Sequence, residues 1–213
     1  MTGESGLDRY PVNLVLEGRR CLVVGGGGVA LRKVEGLLAC GAVVTVVAPT
    51  VDRRLKDRPD VAIEERAYRR GEVRAYRLAI AATDSPEVNA AVFADGEDAG
   101  VWVNGADDPV NCSFTLPSVL RRGPLMITVS TGGRSPALSR WLRRRLEAEI
   151  GPEFEILLDL LSSERELLKS EGRPTEGPGW QNALDSDMLG LIRTGDITSA
   201  REHLHACLSS SSD

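Results

Sequence analysis

Gly25, Gly27 and Ala30 follow the apolar run 20–24 with the spacing G-x-G-x-x-A. The chemistry that spacing serves is the binding of a diphosphate. A glycine at 25 permits a sharp reversal from strand to helix, and one at 27 leaves no Cβ between backbone and ligand. The small Ala30 lets the helix lie close to the strand, and the helix N-terminus offers unpaired amides and partial positive charge to phosphate. A tight turn without a ligand is the competing reading. Here the turn follows a strand and opens an amphipathic helix inside a complete βαβ unit, which favours a nucleotide.

Other polar residues carry weaker signals. Dinucleotide sites of this type usually place Asp or Glu at the end of the second strand, to hold the ribose hydroxyls. Ala48, Pro49 and Thr50 occupy that point, with Asp52 just beyond. Arg53 and Arg54 could instead meet a 2′-phosphate, so the residues alone leave NAD and NADP open. Asp107 follows a later apolar run, where open α/β sheets build their sites, and could act as a general base. On spacing alone, Asp107-Asp108-Pro109 reads first as a turn. The stretch 130–136 offers the Gly132 and Gly133 amides and the Arg134 charge as an anion loop, while Ser135-Pro136 caps a following helix. Arg121, Arg122, Arg140 and Arg143 to Arg145 have guanidinium forks suited to carboxylates, though each singly reads as a solvated helix face. His203 and His205, near Cys207, point to different faces of a helix and are read as surface residues with no metal.

These residues need a scaffold, and the hydrophobic pattern supplies one. Ala30, Val34, Leu37, Leu38 and Gly41 recur at helical spacing, and the β-branched run 43–47 ends at Ala48-Pro49. Further strands are expected at 61–63, 78–82 and 101–103, with Ser85-Pro86 starting a helix between the last two. Runs apolar on both faces, alternating with helices, imply a parallel sheet covered on both sides. Beyond residue 113 the pattern predicts strands at 114–116 and 125–129. A helix from Ser135-Pro136 should carry Leu138, Leu142 and Leu146 along one side. Helices are expected again at 154–161, 164–169, 180–192 and 198–208. The organisation expected is α/β: a Rossmann-type parallel-sheet domain over 1–113, a small α+β region over 114–150 and a helical domain over 151–213.

Composition bounds the function. With 42% hydrophobic and 27% charged residues, the 213-residue chain can build an ordinary globular core. A net charge of −5 and a pI near 5.2 argue against nucleic acid as the main partner. No apolar run is long enough to cross a bilayer, and residues 1–8 lack the basic-then-apolar pattern of a signal peptide. Cys21, Cys40, Cys112 and Cys207 form no CxxC pair, which points to a reducing cytoplasm. The serine-rich end, 209–212, is expected to fray.

The glycine turn continues as Gly25-Gly26-Gly27-Gly28-Val29-Ala30-Leu31-Arg32-Lys33, behind Tyr10-Pro11-Val12 and Leu16-Glu17-Gly18-Arg19. Later blocks are Ala81-Ala82-Thr83-Asp84, Val88-Asn89, Val103-Asn104-Gly105-Ala106-Asp107, Phe114-Thr115-Leu116-Pro117-Ser118 and Ser130-Thr131-Gly132-Gly133-Arg134-Ser135-Pro136. Taken in order, these blocks resemble the siroheme synthase family, in particular its stand-alone precorrin-2 dehydrogenase members. The resemblance implies that precorrin-2, a polycarboxylate tetrapyrrole, loses a hydride to NAD and a proton to give sirohydrochlorin. Some members also insert ferrous iron. It further implies a homodimer joined through the middle region, with substrate held between the NAD site and the helices. The family lacks an acidic residue at the second strand end and uses NAD, which matches 48–50 here. The expected cofactor contacts are Gly25, Gly27, Gly28, Val29, Ala30, Pro49, Thr50 and Thr83, and the expected catalytic residue is Asp107. A redox-sensing NAD-binding module without turnover is the alternative of another class. It would call for an added recognition element such as a basic helix-turn-helix, which the sequence does not contain.

Overall fold

Residues 9–209 are described in a computed structural model. The first eight residues, read for a signal peptide, and most of the serine-rich tail lie outside the described residues. Two units separate along the chain, Met1–Leu116 and Pro117–Asp213.

The first unit is built on β1 (Arg20–Val24), β2 (Val43–Val47), β3 (Val61–Glu64), β4 (Leu78–Ala81) and β5 (Trp102–Gly105), all parallel, in the order β3-β2-β1-β4-β5. The central strands are apolar at nearly every position because both faces are covered. Cys21 and Val23 of β1, with Val44 and Val46 of β2, pack under Ala30, Val34 and Leu37 of α1 (Gly28–Leu38). On the opposite face Leu22, Val24, Ala79 and Ala81 meet Val92 of α3 (Pro86–Ala99), together with Val101 and Val103. Ser85 caps α3 as its pattern predicts, its Oγ accepting from the Val88 N–H with Pro86 at the first helical position. Gly41 was expected on the face of α1 but lies past its end, where φ of 71° lets the chain turn back toward β2. The short helix α2 (Arg53–Lys56) and the 3₁₀ turns at 72–75 and 109–111 are too brief for periodicity to mark.

The second unit opens with an antiparallel hairpin, β6 (Ser118–Arg122) and β7 (Leu125–Val129). The strand expected at 114–116 is therefore not formed. Phe114 packs instead onto the first unit's sheet, and its carbonyl accepts from Asn104 Nδ2 at 2.9 Å. Gly123, at φ 52°, and Pro124 make the two-residue turn that pairs Arg122 with Leu125, placing the partner strand later than expected. The hairpin packs against α4 (Pro136–Glu149).

The remaining helices enclose a core of their own. α5 (Glu153–Ser170) is continuous where two helices were expected, because Ser163 turns its hydroxyl to the Asp159 carbonyl (2.7 Å) rather than breaking the helix. The expected helix 180–192 is instead two, α6 (Pro178–Leu184) and α7 (Met188–Arg193). Ser186 divides them by donating to the Ala183 carbonyl and accepting from the Met188 N–H. With α8 (Ile197–Ser209) they bury Leu157, Leu160, Leu168, Met188, Ile192 and Leu204.

Candidate dinucleotide-binding site

Lateral backbone bonds lace the carboxyl ends of the strands together. Gly25 N donates to the Val47 carbonyl (2.9 Å), Ala82 N to that of Val24 (2.7 Å) and Ala106 N to that of Ala81 (2.8 Å). The glycine turn, the 48–50 loop, Thr83 and Asp107 therefore all leave the sheet along one edge. β1 and β4 are neighbours although distant in sequence, which is the switch point where open α/β sheets bind ligands.

Within the turn, the glycines do different work. Gly25 sits at φ 127°, and a Cβ there would lie 2.2 Å from the Ala82 carbonyl oxygen. A Cβ on Gly26 would lie 2.1 Å from that of Thr50. Both are demanded by the fold itself. A Cβ on Gly27 would meet nothing within 4 Å, so that glycine opens onto free space. The first bond inside α1 runs from Leu31 N to the Gly27 carbonyl (3.0 Å), and Gly27 has no side chain with which to cap the helix. The amides of Gly28, Val29 and Ala30 consequently have no partner within the helix. Ala30 is fully buried, which sets the close approach of α1 to the sheet. An open, Cβ-free backbone beside first-turn amides fits a dinucleotide diphosphate.

The flanking loops are held rigidly. Pro49 and Thr50 are exposed beside the turn, and Asp52 N donates to the Gly26 carbonyl at 2.8 Å. Thr83 is locked by Asn89 of α3, a residue buried to 6% exposure. Asn89 Oδ1 accepts from the Thr83 hydroxyl (2.8 Å) and amide (3.3 Å), and Asn89 Nδ2 donates to the Thr83 carbonyl (3.0 Å). The hydroxyl, amide and carbonyl of Thr83 are thus all engaged by Asn89, which fixes the position of the 83 loop. The sequence reading gave Asn89 no role of its own.

Asp107 lies two residues past β5 at φ 60°, in the turn closed by Asp108 N on the Gly105 carbonyl. The turn reading and an exposed carboxylate are therefore both true of it. Register across β1, β4 and β5 places the strand ends bearing the glycine turn and Asp107 about 10 Å apart. Asp108 is tied to Asn111 Nδ2 at 2.6 Å and serves the turn. Lys33 on α1 is half-buried, and burial lowers its pKa while the nearby Asp107 charge opposes that shift. Burial likewise raises the Cys112 thiol, which donates to the Gly105 and Asp108 carbonyls.

In the second unit the anion-loop expectation for 130–136 loses one of its two glycine amides. Gly132 N is taken by Ser130 Oγ (3.3 Å), Arg134 N by the Thr131 carbonyl (3.1 Å) and Ser135 N by Thr131 Oγ1 (3.1 Å). Three amides of the loop are thus engaged within it, and Ser135 caps α4 through the Leu138 amide. Arg122 closes the C-terminus of α4 by donating to the Ile150 and Glu147 carbonyls. Arg143 pairs with Glu147, and Arg145 lies over the Trp141 ring. Arg134, Arg140 and Arg144 are exposed. His205 Nδ1 meets the buried Glu164 carboxylate at 2.8 Å, and His203 faces Cys207.

Comparison with known proteins extends this picture. Residues 12–118 match the family described as putative NAD(P)-binding, and residues 122–149 match the sirohaem biosynthesis protein central family. The siroheme synthase of Nitrosomonas europaea is 35% identical over 97% of this chain and 45% of its own length. That of Methylococcus capsulatus is 40% identical over 92% of this chain and 45% of its own. The chain thus spans less than half the length of these curated relatives. Among solved structures, a chain titled SirC, precorrin-2 dehydrogenase, aligns with a TM-score of 0.68 and 25% identity, over 94% of this chain and 100% of that one. The open glycine turn thus sits within a match covering half of the sequence, and the chain belongs to the putative NAD(P)-binding family.

Proposed function

We propose that this chain oxidises precorrin-2 to sirohydrochlorin with NAD as the electron acceptor. The observation that carries the reading is the likeness to a precorrin-2 dehydrogenase over nearly the whole of both chains. The open, Cβ-free backbone at Gly27 supports the reading, because it suits the diphosphate of such a cofactor. When bound, NAD supplies the hydride acceptor. The protein's own part is to hold and to take a proton. The Gly28, Val29 and Ala30 amides bind the diphosphate, and the Asn89 lock fixes Thr83 beside it. Asp107 accepts the proton released as the substrate gives up its hydride. Exposed Arg134, Arg140 and Arg144 suit the substrate's carboxylates.

The active form in this proposal is a cytoplasmic homodimer, joined through a dimerisation region at 114–150 and followed by a helical domain at 151–213. Leu138 and Trp141 of α4 support it, being 47% and 52% exposed on a face that a second copy would cover. The test is anaerobic incubation of the purified chain with precorrin-2 and NAD. NADH should form together with the absorption spectrum of sirohydrochlorin. A folded chain that binds NAD but forms no NADH would sink the proposal.

A further inference from the structure

Folds of this class read the adenosine ribose at the end of the second strand, and here an opposite-charge pair stands just past it. Arg54 Nε donates to Asp52 Oδ1 at 3.1 Å and Nη2 to Oδ2 at 2.7 Å, while the Arg54 backbone N–H also reaches Oδ1 at 2.9 Å. Asp52 is anchored to the glycine turn through its amide on the Gly26 carbonyl. Arg54 Nη2 stands 4.0 Å from the point where a Cβ on Gly28 would lie. Both members are thereby fixed beside the start of α1. The guanidinium bonds hold the Asp52 carboxyl down at about 2. The neighbouring cations are engaged too, Arg53 with Asp57 at 3.4 Å and Lys56 with Glu65 at 2.6 Å. Sequence alone offered Arg54 as a cation for a 2′-phosphate; the structure ties that cation to Asp52.

We propose that Asp52 and Arg54 together form a specificity filter against 2′-phosphorylated dinucleotides, an inference that rests on the NAD reading above. A ribose 2′-hydroxyl is neutral and can bond to either member of the pair. A 2′-phosphate would have to displace Asp52 from the guanidinium fork and leave two anions side by side.

Titration calorimetry of NAD and NADP on the whole chain tests this without substrate. The wild type is expected to bind NAD at least about tenfold more tightly than NADP. Asp52→Ser keeps an oxygen to cap α2 but releases Arg54, and the Kd ratio of NADP to NAD should fall at least about tenfold. Adding Arg54→Ala should cancel that gain. Asp52→Asn repeats the measurement should the serine variant fail to fold. A folded Asp52 variant with an unchanged ratio, or a wild type that prefers NADP, would overturn the filter. A wild type that binds neither dinucleotide overturns the NAD reading as well. NAD selectivity without precorrin-2 turnover overturns only the proposed reaction.

Discussion

At Asp107 the chain takes a left-handed backbone that costs most residues energy, and it does so beside the edge where the glycine turn opens. If Asp107 receives the substrate proton, Asp107→Ala should lower kcat about 100-fold or more while NAD still binds. Steady-state kinetics beside NAD titration checks this, and unchanged turnover would remove Asp107 from the mechanism. Asn89 makes a different kind of contribution. It is itself buried and its three bonds to Thr83 are partly so, and Asn89→Ala should cost about 1–3 kcal/mol in urea unfolding and weaken NAD binding. Asp107 was legible in the sequence only through a resemblance, because Asp-Asp-Pro is also ordinary turn chemistry. Asn89 was not legible at all, since its partner is defined by a helix folding back on the loop before it. Arg54 was read as an available cation because spacing does not reveal which carboxylate its fork meets.

Among the elements, those covered on both faces were the easiest to read. β1, β2 and β4 are apolar at nearly every position, and Ser85-Pro86 marks the start of α3 by side-chain chemistry alone. β6 was misplaced because its register is set by Gly123-Pro124 and not by hydrophobicity, its exposed and half-buried positions giving a weak pattern. α3 also carries a clamp no pattern reveals. Asp95, 6% exposed, accepts from Arg70 Nη2 (2.6 Å), the Tyr68 hydroxyl (2.9 Å) and the Gly71 amide (2.7 Å), pinning the 68–71 loop to the helix. The Arg70 bond does most to hold its carboxyl at about 2, below the ordinary value of 3.8. A depressed carboxylate stabilises the fold fully above its unfolded pKa and loses that contribution as pH falls through the folded one. Asp95 should therefore contribute about 2 kcal/mol above roughly pH 4 and lose it toward pH 2. Urea midpoints measured from acid to neutral pH should show Asp95→Asn less stable at neutrality, with a flatter acid limb. An acid limb identical to the wild type would contradict the clamp.

For the molecule as a whole, the sequence suggested three regions, 1–113, 114–150 and 151–213, and the chain separates into two units, Met1–Leu116 and Pro117–Asp213. Which surface a second copy would cover in the proposed dimer was not legible, because α4 reads as amphipathic whether its leucines face its own core or a partner. Trp141→Glu should convert the proposed dimer to monomer in light scattering, and a wild type already monomeric would contradict the dimer. The central claim is that the first-turn amides of α1 receive a dinucleotide's diphosphate, and Gly27 isolates it. Its φ of −89° suits alanine, and no neighbouring atom lies within 4 Å of the added carbon. The direct measurement is NAD calorimetry on Gly27→Ala beside its melting temperature. Melting should stay within about 2 °C of the wild type, while NAD binds at least about tenfold more weakly. A folded Gly27→Ala chain that binds NAD as the wild type does would contradict the account.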